Sequence, residues 1–166
     1  MKSLQQLVDE LESPAGIDHR WFYQKSYWNA VPMYENFFSD IRDTALNVLE
    51  IGVCDGGSIK LWYDYFPNAQ IYGLDINIRD TVKFLYDYDR ITLLEGNAYT
   101  DSFIEENGIA DIPFDIVIDD GSHAWDDMYY FCETYSKFLA PDCIFVLEDI
   151  SPWMFKEEEY RSKFVK

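Results

Sequence analysis

The sequence predicts an α/β fold: a doubly wound, mostly parallel sheet of about five strands with helices on both faces. Five short runs of apolar, largely β-branched residues are the candidate strands; they lie at 46–52, 70–76, 90–96, 114–120 and 143–149. Near-continuous apolar character is typical of strands buried on both faces of a parallel sheet. Helix-like segments alternate strictly with these runs, and this alternation predicts right-handed crossovers between parallel strands.

Length and composition indicate one folded domain with an acidic surface. The 166 residues are 48% hydrophobic and 18% aromatic, which excludes a disordered chain despite the heavy charge. Against 13 lysines and arginines stand 31 acidic residues, and the formal net charge of -18 repels phosphate backbones and anionic lipid head groups. We therefore expect neither nucleic acid nor a membrane surface as a partner.

The sequence shows no signal for secretion, membrane insertion or disulfide formation. No apolar run approaches the roughly 20 residues of a membrane span, and residues 1–13 follow an acidic amphipathic helical pattern rather than that of a secretory signal. Cys54, Cys132 and Cys143 are odd in number and lack zinc-ligand spacing, so we interpret them as packing residues. The expected location is the cytoplasm.

The segments between the strands carry apolar residues at roughly helical spacing. The predicted helices span 3–12, 57–66, 79–88, 100–109 and 124–140. Residues 17–41 are dense in aromatic side chains, and we expect them to pack over the ligand edge of the sheet. We therefore divide the chain at residue 40 into an N-terminal helix with a lid-like segment, 1–40, and a ligand-binding unit, 41–166. His19 is better explained as part of a solvated loop than as a lid residue.

Polar side chains collect at the carboxyl ends of the predicted strands. They are Glu50, Asp75, Asn97, Asp119, Asp120, Glu148 and Asp149. In open parallel sheets the ligand site lies beyond the carboxyl ends of the strands. Random surface decoration would scatter acidic residues between both ends, so we expect the ligand at this edge.

The first predicted strand runs into a glycine-rich turn, VLEIGVCDGGS, at 48–58. Gly52 and Gly56 would let the backbone turn tightly and approach a ligand, and the helix that starts near Ser58 offers free N–H groups to an anion. Asp75 ends the second strand, where an acid can accept both hydroxyls of a ribose. The GxxxGG pattern is not the GxGxxG of NAD or FAD sites, and a plain strand-to-helix turn is the alternative.

Carboxylates also end the fourth and fifth strands, in FDIVIDDGSH and CIFVLED. Asp120, Glu148 and Asp149 could converge on one hard divalent cation such as Mg²⁺, which prefers oxygen ligands. His123 follows in a tight turn and could remove a proton from a substrate oxygen, because histidine titrates near neutral pH. The alternatives are acids that merely solvate strand ends and a histidine that packs.

Residues 48–77, with the spacing E-x-G-x-x-x-G-x-S followed by YGLDIN, resemble the first two strands of class I S-adenosyl-L-methionine (SAM)-dependent methyltransferases. Together with DDGSH and ED, they make the chain most similar to the macrocin- or mycinamicin-type sugar O-methyltransferases, over about residues 18–150. The resemblance implies a Rossmann-like sheet in the order 3-2-1-4-5, with 41–166 as a SAM-binding, methyltransferase-like domain.

The resemblance also implies roles for single residues. The implied cofactor-binding residues are Glu50, Gly52, Gly56, Ser58, Asp75, Asn97 and Asp119. Gly52 and Gly56 would line the methionine part of SAM, Ser58 would lie near its carboxylate, and Asn97 beside the adenine. Asp119 would face SAM or cap its turn. The implied metal ligands are Asp120, Glu148 and Asp149, with His123 as the catalytic base.

The expected function is Mg²⁺-assisted transfer of the SAM methyl group to a hydroxyl of a small molecule such as a sugar or glycoside. A SAM-binding module or degenerate methyltransferase without catalysis is the alternative, and a nicotinamide-dependent oxidoreductase is a weaker one. Full class I methyltransferases continue past the fifth strand into a helix and two more strands, and these strands are expected to be missing here. Residues 143–148 would then form an exposed sheet edge, so we expect a homo-oligomer, most simply a dimer.

Overall fold

A computed structural model describes residues 1–10, 30–137, 139 and 142–150. The strands are β1 (Asn47–Ile51), β2 (Gln70–Asp75), β3 (Ile91–Glu95), β4 (Ile116–Asp119) and β5 (Ile144–Leu147). They form one sheet in the order β3-β2-β1-β4-β5, and every neighbouring pair is parallel. The predicted fold class and strand order are confirmed, and each strand lies within its predicted run.

Helices occupy the predicted connections, with two differences in type. One further helix, Ala30–Phe38, lies in the aromatic segment, for which no helix was predicted. The α-helices are α1 (Leu4–Glu10), α2 (Ala30–Phe38), α3 (Gly57–Tyr65), α4 (Asp101–Glu106) and α5 (Trp125–Tyr130). The segment predicted as a helix at 79–88 is a 3₁₀ helix, Asp80–Asp87, whose buried Val82 and Leu85 are three residues apart and so stack along one side of a three-residue turn. The helix predicted at 124–140 changes after α5 into a π-helical turn, Phe131–Tyr135.

The sheet is buried on both faces, as its apolar sequence predicts. Consecutive strand residues point to opposite faces, so Val48 joins one cluster of buried side chains and Leu49 the other. On the first face, α2 and α3 contribute an aromatic group in which the Trp62 ring lies 5.3 Å from Tyr34 and 5.6 Å from Phe38. These contacts hold α2 against α3, beside the carboxyl edge of β1.

The expectations for the two ends of the chain concern the lid-like segment and the outer edge of β5. His19 and most of the lid-like segment lie outside the described residues, so the division at residue 40 stays a prediction. In the described ranges no strand pairs with the outer side of β5, whose four residues are all half-buried. Homo-oligomerisation and a cytoplasmic location also stay predictions. The helices of the described part include none that is long and apolar enough to cross a bilayer.

Candidate active site

A cavity of about 920 Å³ lies at the carboxyl ends of the strands. This volume is in the range of small-molecule sites. The predicted site residues that line it are Gly52, Ser58, Asp75, Asn97, Asp120, His123, Glu148 and Asp149. Glu50, Gly56 and Asp119, all three buried, are not among the residues that line the cavity. The structure therefore brings both halves of the predicted site to one cavity.

Gly52 lets the ends of β1 and β4 approach each other closely. Its φ is +99°, and a Cβ atom there would lie 2.1 Å from the backbone oxygen of Asp120. Gly56 precedes α3 in a left-handed conformation, and a Cβ atom on it would meet Leu85 Cδ1 at 2.7 Å. Close backbone packing thus requires Gly52, which also borders the cavity, whereas Gly56 is favoured by its left-handed φ of +80°.

Asp75 shapes the glycine-rich turn in addition to lining the cavity. Its Oδ2 accepts hydrogen bonds from the N–H groups of Val53 (2.9 Å) and Cys54 (3.0 Å). Its Oδ1 accepts a third from the N–H of Asn77, at 3.0 Å. A carboxylate offers about four lone-pair sites, so the three bonds leave room for a ligand hydroxyl. Asp75 can therefore still accept a hydrogen bond from a ligand hydroxyl, as its expected role beside a ribose requires.

Several cavity residues were not predicted from the sequence, among them Ile76 and Arg79. Ile76 follows Asp75, lines the cavity and is 69% exposed, an apolar surface suited to a flat ring. Arg79 also lines the cavity, and its Nη1 lies 3.1 Å from Asp55 Oδ1. In the sequence, an isoleucine at the end of an apolar run looks like a strand residue. Its position directly after the strand-end acid Asp75 could nevertheless have indicated that Ile76 lines the ligand site.

Asp120 is the centre of the acidic part of the cavity. Within the described part of the chain, two groups of side chains bring possible metal-ligand atoms within 4.8 Å of one another; they are Asp120, His123 and Asp149, and Glu50, Asp120 and Glu148. His123 Nε2 is 3.9 Å from Asp120 Oδ1 and 3.6 Å from Asp149 Oδ2. The donor set is rich in carboxylate oxygens, so it fits a hard divalent cation.

Glu50 lies near Asp120 and Glu148 rather than near the glycine-rich turn. We call the residues around Asp120, which are His123, Glu148 and Asp149 with Asp120 itself, the acidic group. Glu50 is completely buried, and one of its oxygens accepts a hydrogen bond from Trp62 Nε1 at 2.8 Å. On the same side of the cavity, Glu148 accepts a hydrogen bond from the Tyr34 hydroxyl. Buried carboxylates require such donors, because an unpaired charge is costly away from water. The structure thus moves Glu50 from the expected cofactor contacts to the neighbourhood of the metal candidates.

Asp119 caps the turn that carries Asp120 and His123. It is only 3% exposed, and its Oδ1 accepts hydrogen bonds from the Tyr99 hydroxyl (2.6 Å) and the Gly121 N–H (3.2 Å). Burial raises the pKa of Asp119. Burial, together with the charge of Asp119, also raises the pKa of Tyr99, so that the phenol stays a donor. Of the two roles expected for Asp119, this geometry fits the turn cap.

Left-handed backbone conformations occur at both ends of the acidic group. His123 has a φ of +54° and Asp149 a φ of +55°, values that non-glycine residues rarely adopt. Such strain persists only where the surrounding contacts hold it, and it is frequent at functional sites. Here it turns both side chains toward Asp120.

The comparisons with known proteins agree with this geometry. No model of a protein family matches the chain. The chain is 36% identical to mycinamicin VI 2''-O-methyltransferase of Micromonospora griseorubida over 126 residues, which cover 72% of this chain and 31% of that enzyme. Its fold matches the MycE methyltransferase of the mycinamycin biosynthetic pathway, solved in complex with Mg and SAH, with a TM-score of 0.71 at 32% identity.

The chain belongs to the class I SAM-dependent methyltransferase family, in its macrocin- and mycinamicin-type branch. The structural match covers 96% of this chain and 39% of the MycE chain. Demethylmacrocin O-methyltransferase of Streptomyces fradiae is 29% identical over 154 residues, which cover 89% of this chain and 36% of that methyltransferase. The chain spans about a third of the length of the curated relatives it matches.

We predict that Gly52→Ala lowers stability by about 3 kcal/mol or more, since it combines a strained φ with a clash against a backbone carbonyl. Gly108→Ala is the matched control, because Gly108 has a φ of +62° but nothing within 4 Å of the added Cβ. It should cost only about 1–2 kcal/mol, the penalty of the left-handed conformation alone. Urea unfolding measures both losses, and equal losses would contradict the close approach of β1 and β4.

Proposed function

We propose that this protein is a SAM-dependent, Mg²⁺-assisted O-methyltransferase that moves a methyl group to a hydroxyl of a small molecule such as a sugar or glycoside. The observation that carries the proposal is the meeting of two sets of groups in one cavity: the glycine-rich turn with Asp75, and the acidic group with His123. The relatives support the same activity, since they are O-methyltransferases and MycE was solved with Mg and SAH.

The SAM side of the cavity is built by the ends of β1, β2 and β3. The amino-terminal end of α3 beside Ser58 would receive the carboxylate of SAM, because free N–H groups and the helix dipole favour an anion there. The Asp75 carboxylate would accept a ribose hydroxyl at the lone pair that the three backbone N–H groups leave free. Ile76 and Asn97, both exposed and both lining the cavity, would contact the adenine.

The ends of β4 and β5 would hold the cation through Asp120, Glu148 and Asp149. Mg²⁺, when bound, would supply Lewis acidity that favours loss of the acceptor's hydroxyl proton. His123 would take up that proton at an imidazole nitrogen, and the neighbouring Asp120 and Asp149 oxygens would orient the ring.

The transfer itself then needs no further group. The acceptor oxygen forms a bond to the methyl carbon while the bond from that carbon to sulfur breaks. The electron pair of the broken bond stays on sulfur, so positively charged SAM leaves as neutral SAH. The protein contributes mainly by holding the two reactants in line.

A SAM-binding module without catalysis is the second candidate. The aligned part covers 31% of the mycinamicin relative and 36% of the macrocin relative, so similarity supports the cofactor and cation site more directly than an acceptor site. Incubation with labelled SAM, Mg²⁺ and a panel of glycosides, beside a SAM titration, separates the two. Methyl transfer to a glycoside supports the enzyme, whereas binding without transfer to any acceptor favours the module.

Replacing Asp75 with Ala should weaken SAH binding by roughly 1–3 kcal/mol, the cost of losing charge-assisted hydrogen bonds to a ligand and to the turn. Isothermal calorimetry measures the affinity. Asp87→Ala, an exposed acid outside the cavity lining, is the charge-matched control and should bind SAH like the wild type. Unchanged affinity in the Asp75 variant would remove Asp75 from the cofactor site.

Asp120→Asn should abolish Mg²⁺ binding and leave SAH binding nearly intact, because the cation site and the glycine-rich turn use different side chains. Calorimetric titrations with Mg²⁺ alone and with SAH alone give the two affinities. Asp126→Asn makes the same change of charge on the exposed first turn of α5 and should alter neither. Wild-type Mg²⁺ affinity in the Asp120 variant would place the cation elsewhere.

His123→Gln should keep both Mg²⁺ and SAH and slow methyl transfer by roughly a hundredfold to ten-thousandfold, the usual contribution of a general base. The rate of the variant should rise with pH, since hydroxide can replace the missing base. Transfer of label to the acceptor found in the panel measures the rate. An undiminished rate would show that His123 packs in the turn and takes no proton.

A further inference from the structure

Tyr99 contacts the turn that carries Asp120 and His123 on both sides of Asp120. The tyrosine follows β3, and its ring lines the cavity. Its hydroxyl donates a hydrogen bond to Asp119 Oδ1 (2.6 Å) and accepts one from the Ser122 N–H (3.2 Å). The hydroxyl therefore spans from the end of β4 to the residue before His123.

Tyr99 supports the second part of the turn, residues 121–124, from outside its own segment. Residues 119 and 120 are held by neighbouring strands, since the Asp120 N–H donates to the Ile51 carbonyl and the Asp119 carbonyl accepts from the Glu148 N–H, both at 2.9 Å. The other hydrogen bonds of 121–124 are local, and they include Gly121 N–H to Asp119 and Ala124 N–H to Ser122 Oγ. Among the described residues, Tyr99 alone supplies a hydrogen bond to 121–124 from outside 119–128. Since His123 lies in a strained left-handed conformation, the turn requires contacts that hold it.

Gly121 shows that the turn is shaped around the tyrosine hydroxyl. A Cβ atom on Gly121 would lie 2.2 Å from the Tyr99 hydroxyl oxygen. The φ of Gly121 is not in the left-handed region, so the backbone itself does not demand glycine there. The missing side chain makes room for the hydroxyl.

Tyr99 is itself fixed from the cofactor side of the cavity. Its N–H donates to Asn97 Oδ1 at 3.0 Å. The preceding Ala98 carbonyl accepts a hydrogen bond from the buried Tyr135 hydroxyl, at 2.9 Å, in the π-helical turn. The loop after β3 is therefore anchored before it reaches the turn, and Tyr99 joins Asn97 to the acidic group.

We propose that Tyr99 is a positioning residue for the cation and base site: its hydroxyl holds residues 119–122 so that Asp120 and His123 keep their geometry. This role rests on the proposed function, in which Asp120 binds the cation and His123 is the base. The hydroxyl acts through Asp119 and Ser122, so Tyr99 shapes the site without taking part in the chemistry.

Tyr99→Phe tests the role, because it keeps the ring in the cavity and removes only the hydroxyl. Calorimetric titration with Mg²⁺ alone should show an affinity about 10- to 100-fold weaker than in the wild type, the usual effect of losing a group that orients metal ligands. Titration with SAH should give a nearly unchanged affinity. Tyr130→Phe is the matched control, since it removes a 2.6 Å hydroxyl bond to Asp101 without touching the turn, and it should change neither affinity.

Amide hydrogen exchange of the ligand-free protein gives a readout that does not depend on the proposed function. The Ser122 amide should exchange faster in Tyr99→Phe and at the wild-type rate in Tyr130→Phe, because its acceptor is lost only in the first. A wild type that binds neither Mg²⁺ nor SAH would overturn the proposed function, and Ser122 exchange would still decide whether Tyr99 holds the turn. Wild-type Mg²⁺ affinity in Tyr99→Phe would overturn the positioning role, whatever the exchange rate.

A double-mutant cycle with Gly121→Ala adds an independent check. The added methyl group would displace the Tyr99 hydroxyl, so the single variant should lose Mg²⁺ affinity as Tyr99→Phe does. In the Tyr99→Phe background the shortest contact of the methyl group, 2.2 Å to the hydroxyl oxygen, is gone, while contacts of 3.0 Å to Ile51 Cγ2 and 3.2 Å to Asp119 Oδ1 remain. Gly121→Ala should then cost less than it does in the wild type. Additive losses of Mg²⁺ affinity would contradict the contact.

Discussion

The close approach of β1 and β4 is the constraint on which the site depends. At this point the strand order reverses, because β2 and β3 extend the sheet on one side of β1 and β4 and β5 on the other. Ligands of doubly wound sheets bind where the order reverses. Gly52 lies against the carbonyl of Asp120 there, so the glycine-rich turn and the acidic group share one cavity. A side chain at residue 52 would force the two halves apart.

Hydrogen bonds from backbone N–H groups distinguish two of the acidic residues at this edge, Asp75 and Asp119. Asp119 is buried and Asp75 half-buried, and both accept backbone N–H groups, so their charges are used to shape turns. Asp120, Glu148 and Asp149 line the cavity, and Asp120 shares one group of possible metal ligands with Glu148 and another with Asp149. A buried carboxylate must be hydrogen-bonded to be tolerated, and backbone N–H groups are the donors nearest to a strand end. Acidic residues at this edge therefore shape a turn at Asp119 and line the cavity at Asp120, and Asp75 does both.

Most of the architecture was predictable because it follows from local patterns. The apolar runs identify all five strands, since a strand buried on both faces must be apolar throughout. The segment 79–88 shows the limit: its apolar spacing fits a helix, but the structure has a 3₁₀ helix with Val82 and Leu85 stacked three residues apart. Packing against neighbouring elements decides between helix types, and a single segment does not contain that information.

The sequence by itself determined the fold class, the glycine-rich turn and the collection of acids at one edge, because each is set by spacing along the chain and by the rule that parallel strand ends meet. Only the tertiary structure decided which groups each acidic side chain contacts, that Glu50 lies beside Asp120 and Glu148, and that Tyr99 fills the space beside Gly121. Those facts depend on side-chain direction and on contacts between distant segments. Residue spacing constrains where a backbone goes, but it does not specify which side chain reaches across to another strand.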